Sequence, residues 1–285
     1  MTPHFSAYVA IDWSGAKGKK HSGIAIAEAR GDAAPRLVRP GHVWSRFEVL
    51  SWVRDRARKE PTLFGFDFSF APPIVEKGEY LLGEPDVPKN AREFWAYVDG
   101  MCEDEDLGAA SFLEVAHRRH FYFGIADGVK ADFVRFRQCD ARLNAQGGRK
   151  TASAYDAIGA AQVAKASFSG MRVLHSLDGD DHIAIWPMDP LRRSSAVVEI
   201  YTRIYLRRAG MTGVKLRSRA ELNLALKNLG SPPTRLRFEP NDHQTDALVT
   251  AAGMRALART EPRAFEPEGL TSEIARTEGW TFGVL

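Results

Sequence analysis

Apolar residues change their spacing along this chain, and the changes mark its elements. Tyr8-Val9-Ala10-Ile11 is an uninterrupted apolar run that ends on Asp12 and the small-residue turn Ser14-Gly15-Ala16. A short continuous run of this kind predicts a buried strand. SGIAIAEA (22–29) predicts a second strand, and RLVRPGHVWS (36–45) a third, interrupted at Pro40-Gly41. The connectors are short, so the three read as an antiparallel meander. From Phe47 the period becomes helical, with Phe47, Leu50, Trp52, Val53 and Ala57 as the apolar stripe. TLFGFDFSF (62–70) then returns to a buried strand that carries Asp67. The opening order is β-β-β-α-β.

Residues 71–181 lose the strand pattern. Pro72, Pro73, Pro85 and Pro88 break it, and AREFWAYVDGMCEDED, DFVRFRQCDARLNA and AIGAAQVAKASF read as helices. This stretch is expected to be a mostly helical insertion after strand four, within a single domain of residues 1–285. Strands resume at HIAIWPM and at SAVVEIYTRIYL, the latter carrying Glu199. SRAELNLALKNLG is a helix with Ser218 as N-cap and Gly230 just past its end. PNDHQTDALVTAAGMRALAR is another, with Asp242 as the expected cap and Asp246 among the residues at helical steps. GWTFGVL closes the chain as a last strand or a docked end. The fold class is α/β.

Composition changes this picture little. A chain of 285 residues can bury a full core, and 44% hydrophobic with 26% charged residues is ordinary for a globular protein. A net charge of +3 says little about partners. Two cysteines, Cys102 and Cys139, exclude a disulfide framework and form no metal-type pair. They fit a reduced, cytoplasmic setting. The segment MTPHFSAYVAIDW lacks the basic and apolar regions of a signal peptide. No apolar run approaches the roughly 18 residues of a membrane helix, so no membrane partner is expected.

The chemistry lies in acids set among apolar residues: Asp12, Asp67, Glu199 and Asp246. An isolated carboxylate in such surroundings is costly to bury. Several converging on one point repel one another unless a divalent cation sits between them, and Mg²⁺ or Mn²⁺ prefers oxygen ligands. Two such ions hold the attacking water and the leaving oxygen of a phosphodiester in line. Each acid also has a plainer reading. Glu199 points outward if strand alternation so places it, Asp246 is a solvated helix residue, and Asp242 is a cap. Their order along the β-β-β-α-β frame joins them.

At these residues the chain resembles the ribonuclease-H-like superfamily of nucleases and recombination enzymes. HQTDAL (243–248) is similar to the His-x-x-Asp-Ala signature of its RuvC-type branch. Over most of its length the chain also resembles the family called domain of unknown function 429, predicted nucleases of this fold. That likeness rests on IDWSGA, FGFDFSF, GMRVLHSL, IAIWPMD, AVVEIYTRIYL, DHQTDALVTAA and EGWTFGVL. It implies a mixed five-stranded sheet flanked by helices and a metal-dependent hydrolase acting on DNA or RNA. It also implies Asp12 as the shared metal ligand and Asp67, Glu199 and Asp246 around it. Asp242 is an alternative ligand, and His243 orients water or leaving group. A proline is implied where this chain has Thr202.

A polyanion also needs cations. Between Arg192 and Arg237 basic residues greatly outnumber acids, and Arg203 and Arg207 are the candidate phosphate contacts there. Lys150, in a small-residue stretch, is a third. HRRHFYFG (117–124) sets arginines beside aromatics, either to stack on unpaired bases or as core. Two other readings compete with a nuclease. One is an actin-like or sugar-kinase-type ATP-binding phosphotransferase, which needs a glycine after its second acid, absent from FDFSFAPP. The other is a non-catalytic nucleic-acid-binding module.

Overall fold

The computed structural model describes residues 4–74, 78–147, 151–158, 163–211 and 215–285. Its sheet is mixed, in the order β3-β2-β1-β4-β6-β5. β1 (Ala7–Asp12), β2 (Ala25–Arg30) and β3 (Arg36–Leu37) form the antiparallel meander. β4 (Thr62–Phe66) runs parallel to β1, and β6 (Ser195–Glu199) runs parallel to β4. The sheet has six strands where the resemblance implies five: the short strand read in HIAIWPM is Ile183–Ile185, β5, which pairs in parallel with β6 as an edge strand. The third strand is only two residues long. Arg39 takes a left-handed conformation (φ 49°) and Gly41 follows at φ 81°, which turns the chain off the sheet before Trp44.

Alternation along the strands sorts the core into two faces. Val9, Ile11, Ile26, Phe64, Phe66 and Val197 face the helices α1 (Arg46–Lys59), α2 (Ala91–Met101) and α4 (Val163–Leu177). Tyr8, Ala10, Ala27, Leu63, Ala196 and Val198 face α5 (Thr202–Arg208), α6 (Arg219–Asn228) and α7 (Asp242–Thr260). The second face is built of small residues. At Gly65 a Cβ would come within 2.5 Å of Ile200 Cγ2 and 2.7 Å of Met254 Sδ. The nineteen-residue α7 therefore lies close on β1 and β2, with Met254 reaching Gly65 of β4, which determines where its first turns end up.

Helix termini follow local chemistry. Ser45 and Glu48 form a capping box on α1, and Ser218 caps α6 with Gly230 at φ 70° just past its end. Asn241, not Asp242, is the N-cap of α7: its side chain accepts from Gln244 N, and the Gln244 side chain accepts from the Asn241 amide. Asp242 is the first helical residue.

The described residues of 71–181 carry α2, α3 (Gln138–Ala145) and α4, with several single helical turns between α2 and α3, and they are not an appendage. Phe94, Phe112, Phe121 and Phe168 belong to the same apolar cluster as β1 and β4. Asp106 accepts from the backbone N–H groups of Arg46 and Phe47 at the start of α1. α4 buttresses the strand ends, where Trp13 Nε1 donates to Ser169 Oγ (3.0 Å) and Ser69 N to Ser167 Oγ (3.0 Å). A short α8 (Ser272–Thr277) precedes the C-terminal segment, which pairs Thr281 with Glu199. Among the described residues no helix is long and apolar enough to cross a membrane.

Gly65→Ala is expected to force α7 off the sheet and to lower stability by about 1–3 kcal/mol, the usual range for overpacking. Urea denaturation of the two proteins measures it. A neutral outcome would mean that α7 is not held by this close approach.

Candidate functional site

Register and alternation bring the first two acids together. Ile11 is paired with Phe66, and the Asp67 amide donates to Ile11 O at 3.1 Å, so Asp12 and Asp67 sit side by side at the carboxyl ends of β1 and β4. Asp12 shares the parity of Tyr8 and Ala10, and Asp67 that of Leu63 and Gly65. Both therefore project on the α7 face. One turn into α7, Asp246 arrives from above that face. The electrostatics register the convergence. Burial, then the charges of Asp12, Asp246 and Glu199, holds the Asp67 carboxyl well above the usual range. Burial and then Asp12 push Asp246 up to about 7. Burial also raises Asp12, against the pull of His243.

His243 Nδ1 lies 2.5 Å from Asp12 Oδ2, and this hydrogen bond raises the imidazole pKa. The histidine is 49% exposed whereas Asp12 is 12% exposed, so the pair spans from the sheet end to solvent. Lys215 is ion-paired with Asp242 at the rim, which lowers the Asp242 carboxyl and raises the Lys215 ammonium. Asp242 thus stands beside the cluster as the partner of a lysine.

Thr202 is a site residue that the sequence did not announce. It is buried and occupies the first position of α5, where proline is also accommodated because its missing N–H has no helical partner. Its hydroxyl accepts from Thr250 Oγ1 (3.0 Å) and lies near enough to the Asp67 carboxyl to lower its pKa slightly against burial.

Glu199 does not join the cluster. It is in register with Phe66 and shares the parity of Val197, so it leaves the sheet on the opposite face. There it is 3% exposed and fully engaged. Arg137 Nη1 and Nη2 each donate at 2.6 Å, Phe70 N at 2.8 Å and Thr281 Oγ1 at 2.5 Å. A carboxylate with that many donors is an internal anchor. The structure places this expected fourth ligand in a buried ion pair with Arg137.

Of the candidate phosphate contacts, Arg203 and Arg207 are partly buried one turn apart on α5, and neither forms an ion pair among the described residues. Lys150 lies outside the described residues. Other basic residues of that region are already partnered: Arg193 with Asp189, Arg208 with Glu261 and Arg219 with Glu239. Phe121 and Tyr122 are buried, so the HRRHFYFG aromatics are chiefly core.

The turn after Asp12 is closed by packing. A Cβ on Gly15 would fall inside van der Waals contact of the Lys165 and Ala166 backbone. The buried Arg46 guanidinium donates to Ser14 O and Ala16 O. Glycine is needed here for close approach to α4.

The donor set of Asp12, Asp67 and Asp246 is all carboxyl oxygen, which suits a hard dication such as Mg²⁺ or Mn²⁺. Their ligand atoms do not all lie within 4.8 Å of one another. Among the described residues the one group of three whose ligand atoms lie within 4.8 Å of one another is elsewhere: Glu84, His117 and His120. The His-x-x-His spacing of HRRH was the available signal for it. Comparison with protein-family models, with curated proteins and with solved structures finds no match to this chain.

Two outcomes are expected. Asp246 has a folded-state pKa above its unfolded value, so it favours folding fully below about pH 4. That contribution fades as pH rises through about 7. With chelator present, stability should fall over that window, and Asp246→Asn should flatten the fall in thermal melts. Glu199→Gln, which leaves buried Arg137 short of a counter-charge, should cost about 3 kcal/mol without changing divalent-metal affinity. A loss of metal affinity at unchanged stability would restore Glu199 as a ligand.

Proposed function

We propose that this chain is a divalent-metal-dependent phosphodiesterase of the ribonuclease-H-like type, acting on nucleic acid. The observation that carries the reading is the convergence of Asp12, Asp67 and Asp246 on one face at the carboxyl end of the sheet. The strand order supports it. A three-stranded antiparallel meander continues into parallel β4 and β6, with acids at the ends of strands one and four and on a late helix. β5 is an edge addition to that plan.

Asp12, Asp67 and Asp246 are the residues that would hold Mg²⁺ or Mn²⁺. Such an ion supplies charge neutralisation at the phosphate and a water of lowered pKa. The remaining groups are the chain's own. Thr202 presents a hydroxyl near the Asp67 carboxyl. His243, hydrogen-bonded to Asp12 and half in solvent, is placed to hold or move a proton at Nε2 on the approach side of the cluster. Arg203 and Arg207, one turn apart on α5, are the candidate contacts for a polyanionic backbone. The rigid strand ends matter because phosphodiester hydrolysis is chiefly positioning and electrostatics.

A nucleotide phosphotransferase is the weaker reading. Its phosphate cradle would be the turn at Ser14-Gly15-Ala16, but that turn is filled by α4 and bound by Arg46. Buried Phe68 and Phe70 stand after Asp67 in place of a second phosphate loop.

The test is cleavage of end-labelled single- and double-stranded DNA and of RNA with Mg²⁺ or Mn²⁺. Asp12→Asn and Asp67→Asn should each lower the rate at least about a hundredfold, more than loss of an outer-shell group. Asp242→Asn, which breaks an exposed ion pair, should leave most of it. Cleavage by Asp12→Asn at the parent's rate would end the proposal. Substrate affinity should also fall with salt, and Arg203→Ala should reduce the slope of log K against log salt by about 1.

A further inference from the structure

We propose that Glu84, His117 and His120 form a binding site for a transition-metal dication of the Zn²⁺ class, separate from the carboxylate cluster. The site is made by a short helical turn, Arg118–His120, which brings two histidines onto one side of the chain opposite Glu84. Glu84 Oε1 lies 3.0 Å from His120 Nε2 and 3.7 Å from His117 Nδ1. These separations bracket the edge of a tetrahedron with zinc–ligand bonds of 2.0–2.1 Å, which is about 3.3 Å.

His117 is the informative residue. Its side chain is 7% exposed and packs on Phe112, with ring centroids 4.6 Å apart. Nε2 is hydrogen-bonded to the Tyr97 hydroxyl at 2.9 Å. Nδ1 is buried, has no hydrogen-bond partner and faces Glu84. A buried polar atom without a partner is costly. When Nε2–H donates to Tyr97, the bare Nδ1 lone pair points at a carboxylate, an arrangement that a cation between them relieves. A ligating imidazole whose other nitrogen is fixed by a hydrogen bond has the usual outer shell of a metal histidine.

The cation now at this position is the Arg119 guanidinium. Its Nη2 donates to Glu84 Oε1 at 2.7 Å and its Nε to His120 Nε2 at 3.2 Å. Arg119 is 65% exposed, so it can move into solvent when a dication competes. Two imidazole nitrogens and one carboxylate select Zn²⁺ and its neighbours over Mg²⁺, which favours an all-oxygen shell. Three protein ligands leave one corner open. His120 and Arg119 also line a cleft of about 550 Å³ shared with Tyr80, Arg135 and Tyr155, and the open position would serve that cleft.

The experiment uses the full chain stripped with chelator. Zn²⁺ is titrated against a chromogenic chelator, and Co²⁺ is followed by visible absorption, which reports tetrahedral nitrogen and oxygen ligation. Tight Zn²⁺ binding is expected, weakened at least about tenfold in Glu84→Gln and in His120→Gln, and about 10- to 100-fold in Tyr97→Phe. The first two positions are partly exposed, so those variants should fold. Absence of Zn²⁺ binding overturns the proposal. So does binding that survives both Glu84→Gln and His120→Gln unchanged, or that Asp12→Asn abolishes.

Discussion

The parallel register of β1 on β4 is the constraint from which the rest follows. It sets Ile11 beside Phe66 and so Asp12 beside Asp67, two carboxylates at adjoining strand ends with little solvent. Nothing in a β ladder separates them, since neighbouring strands lie about 4.8 Å apart. The fold answers this repulsion with polar groups rather than by turning the acids away. His243 engages Asp12, Thr202 engages Asp67, and α4 secures both strand ends through Ser167 and Ser169. A third acid, Asp246, is then added. Such an arrangement raises the energy of the folded protein, and a bound dication would offset it.

On the opposite face a similar residue is treated in the opposite way. Glu199 is given Arg137, Phe70 N and Thr281 Oγ1, leaving its oxygens no vacancy for a ligand. The contrast separates two uses of a buried acid. One is neutralised internally and joins α3, the C-terminal segment and the sheet. The others gather at the end of the sheet beside the half-exposed His243, where burial and one another's charge raise their carboxyls. A single residue of offset in strand parity decides which is which.

The insertion bears on both. Its α4 fills the space around the turn after Asp12, which is why that turn carries Gly15. Its loops carry Glu84, His117 and His120, a cluster with different donor chemistry from the carboxylates. The chain thus presents a hard-oxygen cluster on the sheet and a nitrogen-rich one on the insertion. Each is set by the polarity of the ligands available locally.

Much of this was legible in the chain. The apolar runs located β1, β2, β4 and β6, and the alternation within TLFGFDFSF and YVAID already put Asp12 and Asp67 on matching faces once the strands are paired in parallel. Ser218 and Gly230 marked the ends of α6 because capping is a local matter of side-chain and backbone hydrogen bonds. The sequence misdirected where the answer depends on a distant partner. Glu199 looked like Asp67 until Arg137, 62 residues away, took it. Thr202 looked like a missing proline until Asp67 and Thr250 met its hydroxyl. Periodicity alone determined the strands, the helices and the candidate acids, since burial patterns are local. Which acids share a pocket, which are paired away, and that His117 Nδ1 lacks a hydrogen-bond partner were decided only by tertiary structure. The reason is that charge and hydrogen bonding act between residues that the sequence keeps far apart.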